Sequence, residues 1–126
     1  MTYADQDRRD DGRYTVATIQ FDSLLGDKDR NVRDLLTMTA EAFANGAKLV
    51  LTPEMATTGY CWYSRAEIAP YVETIPGPTT EGFAELTSRY GAYVIVGMPE
   101  VDPETDDYYN SIALVGPDGV VGKYRK

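Results

Sequence analysis

The chain has 126 residues, 43% of them hydrophobic, with 12 basic against 20 acidic side chains and a formal net charge of −8. That size suits one domain with a real core, while the negative charge repels phosphate backbones and anionic lipid, so neither nucleic acid nor a membrane is expected as a partner. There is no histidine and one cysteine, Cys61, which excludes an internal disulfide, a Cys/His metal cluster and any triad or dyad that needs an imidazole from this chain.

Residues 1–13 (MTYADQDRRDDGR) mix both charge signs with almost nothing apolar, a composition expected to form a mobile tail. The start is charged where a signal peptide needs an apolar stretch, and no apolar run approaches the ~20 residues that span a bilayer; a cytoplasmic location is the resulting expectation. From Tyr14 the run YTVATIQF, rich in β-branched residues, predicts a first strand. Asp29 or Asn31 can then cap a helix whose apolar positions Val32, Leu35, Leu36, Ala42 and Phe43 recur at helical spacing up to Gly46.

Lys48-Leu49-Val50-Leu51 reads as a short buried strand that stops at Thr52-Pro53-Glu54, since proline cannot donate a ladder hydrogen bond. Glu54 therefore falls just past the strand's carboxyl end. The next stretch, residues 55–77, is long, aromatic and irregular, as a pocket wall would be. Pro78-Thr79-Thr80 opens a second helix carrying Phe83, Leu86 and Tyr90, with Gly91 as its left-handed stop. AYVIVGMPE predicts a third strand, and YYNSIALV and VVGKYR flank the turn Gly116-Pro117-Asp118-Gly119. Five strands alternating with two helices predict an α/β domain with a largely parallel sheet closed by a hairpin. Strands as apolar as 49–51 and 94–96 want cover on both faces, and two helices cover only one. More polypeptide, or a partner, is expected over the other face.

Two motifs in order then become informative. Leu51-Thr52-Pro53-Glu54-Met55-Ala56-Thr57-Thr58-Gly59-Tyr60 resembles the glutamate motif of the nitrilase superfamily of carbon-nitrogen hydrolases. Tyr109-Asn110-Ser111, followed by Gly119-Val120-Val121-Gly122-Lys123-Tyr124-Arg125-Lys126, resembles its lysine motif, and Val96-Gly97-Met98-Pro99-Glu100 matches the family's usual strand ending between them. The resemblance covers the chain from Tyr14 onward. It implies the N-terminal part of a nitrilase-like α-β-β-α sandwich, truncated within residues 14–126, in which a second sheet would cover the bare face. It also implies Glu54 as general base and Lys126 as catalytic lysine. The family's nucleophilic cysteine, and a further glutamate that supports the lysine, follow that lysine and have no counterpart here, so the chain alone is expected to be inactive. No cofactor or metal is implied.

The chemistry of such a trio without histidine is coherent. A thiol with a pKa near ~8.5 needs a neighbouring base to take its proton, and a carboxylate in a dry pocket can do so. A fixed ammonium stabilises charge developing on the attacked group. In its complete form such a protein would hydrolyse a small amide, N-carbamoyl or nitrile substrate, with an amidase or N-carbamoyl-amine hydrolase preferred over a nitrilase, and would form homo-oligomers. Tyr60 is a candidate substrate-binding residue, and Trp62 and Tyr63 either line a pocket or pack. Cys61 follows the glutamate motif and not a strand-to-helix turn, so it reads as an ordinary cysteine. Two other classes stay open: a non-catalytic piece that pairs with a C-terminal segment or with itself through the bare sheet face, and a receiver-like phosphoacceptor using Asp22, Glu54 and Lys126.

Overall fold

A computed structural model describes residues 12–126; the predicted tail at 1–13 lies almost wholly outside them. The elements are β1 (Thr15–Thr18), α1 (Lys28–Ala44), β2 (Ala47–Leu51), a one-turn helix α2 (Arg65–Ile68) running into a 3-10 turn (Ala69–Tyr71), α3 (Pro78–Tyr90), β3 (Tyr93–Val101), β4 (Tyr108–Gly116) and β5 (Gly119–Arg125). The five strands form one sheet in the order β1-β2-β3-β4-β5. β1, β2 and β3 are parallel, whereas β3, β4 and β5 are antiparallel. The sheet is thus evenly mixed and not largely parallel as expected, because the connection between β3 and β4, residues 102–107, is too short to carry the chain back for a parallel pairing.

Local chemistry explains the helix limits. α1 is capped by Asp27, whose carboxylate accepts from the Arg30 amide at 3.2 Å, a contact worth about 1 kcal/mol. The cap is neither Asp29 nor Asn31. Asn31 is instead fully buried, the first of a stripe with Leu35, Thr39 and Phe43 at four-residue spacing that turns one face of α1 to the core. α3 starts at Pro78, whose missing N–H costs nothing there, and ends at Gly91 in the left-handed conformation (φ 58°) as expected. The segment at 55–77 is less irregular than predicted: Ser64 caps α2 by accepting from the Glu67 amide.

Both long helices lie on one face of the sheet, where Leu35, Phe43 and Phe83 pack on Val50, Val94, Val96, Met98, Ala113 and Val115. Burying Phe83 completely makes it the largest single apolar contributor on this face; removing such a ring costs about 3–5 kcal/mol. The opposite face is bare. Val16, Leu51, Tyr93, Ile112, Val121 and Tyr124 are all exposed, Val121 at 62% and Tyr124 at 67%, and the register puts Ile112 beside Tyr124. This is the uncovered apolar face that the sequence led one to expect. No helix among the described residues is long and apolar enough to cross a membrane.

Candidate active site

Glu54 sits three residues beyond β2 on a turn that crosses the bare face of β3. Thr52 prolongs the sheet by donating its amide to Ile95 O at 3.0 Å, and its hydroxyl accepts from the Gly97 amide at 3.0 Å. The crossing is possible only because residue 97 is glycine. A Cβ there would lie 2.2 Å from Pro53 O and 2.9 Å from the Met55 amide nitrogen, closer than real contacts allow. From the other side the turn is held by Ser23, whose hydroxyl donates to Ala56 O at 2.7 Å, and by Asn31, whose Nδ2 donates to Thr57 O at 3.1 Å and to Leu24 O at 2.8 Å. The sequence reading gave Asn31 a capping role, but its burial places it here, as a brace of the Glu54 turn.

Three side chains meet at the Glu54 carboxylate, one from its own turn and two from distant strands. Lys126 Nζ donates to Oε1 at 3.0 Å, Asn110 Nδ2 donates to the same oxygen at 2.7 Å, and Tyr60 Oη donates to Oε2 at 2.7 Å. The Lys126 amide in turn donates to Asn110 O at 2.9 Å. Tyr60 most of all, then Lys126 and Asn110, hold the Glu54 carboxyl below its ordinary pKa. Burial and the neighbouring carboxylate push the Tyr60 phenol up to about 12, so it stays a donor. Glu54 is therefore an ionised base at neutral pH. A carboxylate offers about four lone-pair directions; three are taken, which leaves one for the proton of a nucleophile or a water.

The two residues that the sequence placed in the site, Glu54 and Lys126, do come together across 72 positions of chain. Tyr60 is here too, bonded to Glu54 as well as lining an adjacent cavity of about 320 Å³ with Met55, Cys61, Trp62, Tyr109 and Asn110. Cys61 is exposed, with φ 71°. Trp62 donates to Gly59 O at 2.9 Å and packs in a tilted contact, ring centroids 5.1 Å apart, on Tyr71, so it packs and lines the cavity at once. Asn110 lies within the segment that resembles the lysine motif, and the signal for it is its place beside Tyr109 and Ser111 on a strand that returns toward Glu54. Gly97 was visible only as part of a strand ending that resembles the family's, with nothing to say what crosses over it.

The profile of the carbon-nitrogen hydrolase family matches residues 15–126. The chain belongs to that family, the nitrilase superfamily. Among curated relatives, a nitrilase of Pyrococcus abyssi is 37% identical over 88% of this chain and 42% of its own length. Omega-amidase NIT2 of Homo sapiens is 35% identical over 90% of this chain and 39% of its own length. A crystal structure of an N-terminal amidase superposes with a TM-score of 0.77 at 30% identity, covering 90% of this chain and 28% of that one. The chain thus spans well under half the length of each of these relatives. Against this family and the antiparallel β3-β4-β5 half of the sheet, the receiver-like alternative has no support.

Proposed function

We propose that this chain supplies the base and the cation of a carbon-nitrogen hydrolase acting on a small carboxamide, with the nucleophilic sulfur contributed by a cysteine outside these 126 residues. The observation that carries it is the convergence of Lys126 and Asn110 on one oxygen of Glu54. In the reaction, Glu54 takes the thiol proton as sulfur attacks the amide carbon, and the ammonium of Lys126 stabilises charge on the former carbonyl oxygen. As the tetrahedral intermediate collapses, the C–N bond breaks and protonated Glu54 gives its proton to the departing ammonia, leaving a thioester. Glu54 then takes a proton from water, hydroxide attacks the thioester carbon, and the acid is released as the thiol is restored.

Several relatives are named as amidases, which supports an amide over a nitrile. Three expected results test the reading. Joined to the segment bearing the cysteine, the protein releases ammonia from a primary carboxamide, and Glu54→Gln or Lys126→Ala lowers kcat by roughly 10²–10⁴-fold. Release of ammonia together with carbon dioxide would instead mark an N-carbamoyl substrate. Turnover of either by the 126-residue chain alone would refute the claim that it is inactive by itself.

The bare face favours a second, compatible role. Apolar surface on this scale marks an interface, and a further sheet packed on Val16, Leu51, Ile112 and Tyr124 would also bury Glu54, dry the site and strengthen its electrostatics. A soluble, monodisperse monomer of this chain by light scattering would count against that interface.

A further inference from the structure

Two carboxylates are buried among the described residues, Glu73 and Glu100, and only Glu100 is fully so. Glu73 accepts from the Thr79 amide at 2.9 Å and pairs with Lys28 at 3.1 Å, tying the start of α3 to α1. Glu100 does something else. It accepts from Ser111 Oγ at 2.6 Å, from Lys123 Nζ, and from Arg125 through a two-bond fork, Nε at 3.0 Å and Nη2 at 2.7 Å. The same guanidinium reaches Asp102 at 2.9 Å and lies 4.1 Å above the Tyr109 ring. Two anions and two cations thus close a neutral cluster on the helix-covered side of β3, β4 and β5.

Arg125 is the residue before Lys126, and successive side chains of a strand point to opposite faces. Ser111 pairs with Arg125 in the ladder, and the next main-chain bond, from Lys126 to Asn110 O, places Lys126 over the bare face beside Glu54. β5 is an edge strand, and its register already shifts once, between Leu114 and Val115. A slip of one residue would turn Lys126 to the wrong face, and a slip of two would carry it roughly 7 Å along the strand, out of its 3.0 Å contact with Glu54. Main-chain bonds at an edge are weak arbiters of register. A buried, saturated fork is a strong one.

We propose that Glu100 is the positioning residue for Lys126: by gripping Arg125 on one face of the sheet it fixes the register of β5, so that the Lys126 ammonium meets Glu54 on the other. The proposal rests on Glu54 and Lys126 being the working pair, and its test reads the contact between them directly, independent of turnover.

The experiment is nuclear magnetic resonance on the full chain, following amide exchange and the titration of the Glu54 side-chain carboxyl. Glu100→Gln keeps the shape and the Ser111 bond but loses the ionic fork. Exchange of the Lys126 amide is expected to accelerate by about tenfold or more, and the Glu54 titration to move up toward the ordinary carboxyl range as the ammonium leaves. The amides of Ile19 and Thr52, bonded to Leu51 O and Ile95 O in the other half of the sheet, should keep their protection. Asp102→Asn, which loosens the same guanidinium from outside the core, should shift both readouts less and in the same direction, and it keeps the test open if Glu100→Gln folds poorly. Arg125→Lys, which keeps the charge without the fork, should behave like Glu100→Gln. Unchanged Lys126 exchange and Glu54 titration in the folded variants would overturn the proposal. So would equal loss of protection at Ile19, Thr52 and Lys126, which marks general destabilisation.

Discussion

Glu54 and Glu100 lie on opposite faces of the same sheet, each ringed by donors, and the contrast between them separates charge that holds shape from charge that can react. Glu100 has no exposed surface and takes four hydrogen bonds from Ser111, Lys123 and Arg125. Its lone pairs are filled. Burial pushes its carboxyl up, but Arg125, Lys123 and Ser111 together outweigh that and hold it at about 2. Glu54 keeps 39% of its side chain exposed, and its three donors are a phenol, an amide and an ammonium. One acceptor direction is left free, on the face that no helix covers.

Acid should reveal the shape-holding charge through stability. A carboxyl whose folded value is about 2 against an ordinary 4.5 contributes on the order of 3 kcal/mol. That stability is fully present above pH 4.5 and lost as pH falls from there through about 2. Urea unfolding of the native chain across this window should therefore steepen, and Glu100→Gln should flatten the curve while lowering stability at neutral pH. An unchanged slope in the variant would mean that Glu100 is not the group being titrated.

A smaller effect should come from the crossing of the Glu54 turn over β3. Gly97→Ala must push Pro53 and Glu54 aside, at about 1–3 kcal/mol. Its signature is a displaced Glu54: the bonds to Asn110 and Lys126 should weaken, seen as an upward shift of the Glu54 titration, in addition to a lower urea midpoint. Smallest of all, Arg65→Ala breaks a pair with Asp106 whose side chains are 51% and 79% exposed. It should cost less than about 1 kcal/mol by urea unfolding and fade with added salt. A larger loss would show that the stacking of Arg65 at 3.6 Å over Tyr108 matters more than the ion pair.

The sequence made some of this visible and hid the rest for physical reasons. The strands and both long helices were legible because their apolar residues repeat with the right periods, and Glu54 and Lys126 because each sits in a motif. The mixed sheet was within reach as well: the connection between β3 and β4, residues 102–107, is too short for the crossover that parallel strands need, so it dictates an antiparallel pair. Asn31 looked like a helix cap because asparagine is among the residues favoured at that position; its burial depends on Leu24 and Thr57, which only the folded chain brings near. Glu100 was visible only as the end of an apolar strand, with no role of its own. Its parity with Val94, Val96 and Met98 put it on the helix-covered face, and Lys123 and Arg125 alternate on the strand across from Ser111, so a parity argument could have found the cluster.

The order of strands in the sheet is also their order in the chain, and this has a consequence for synthesis. Each strand finds its neighbour already made when it leaves the ribosome, so pairing proceeds locally and loop-closure costs stay low. The helices shield one side at once. The other side stays adhesive, so a nascent molecule of this kind sticks to its siblings unless a chaperone or a partner surface covers that face.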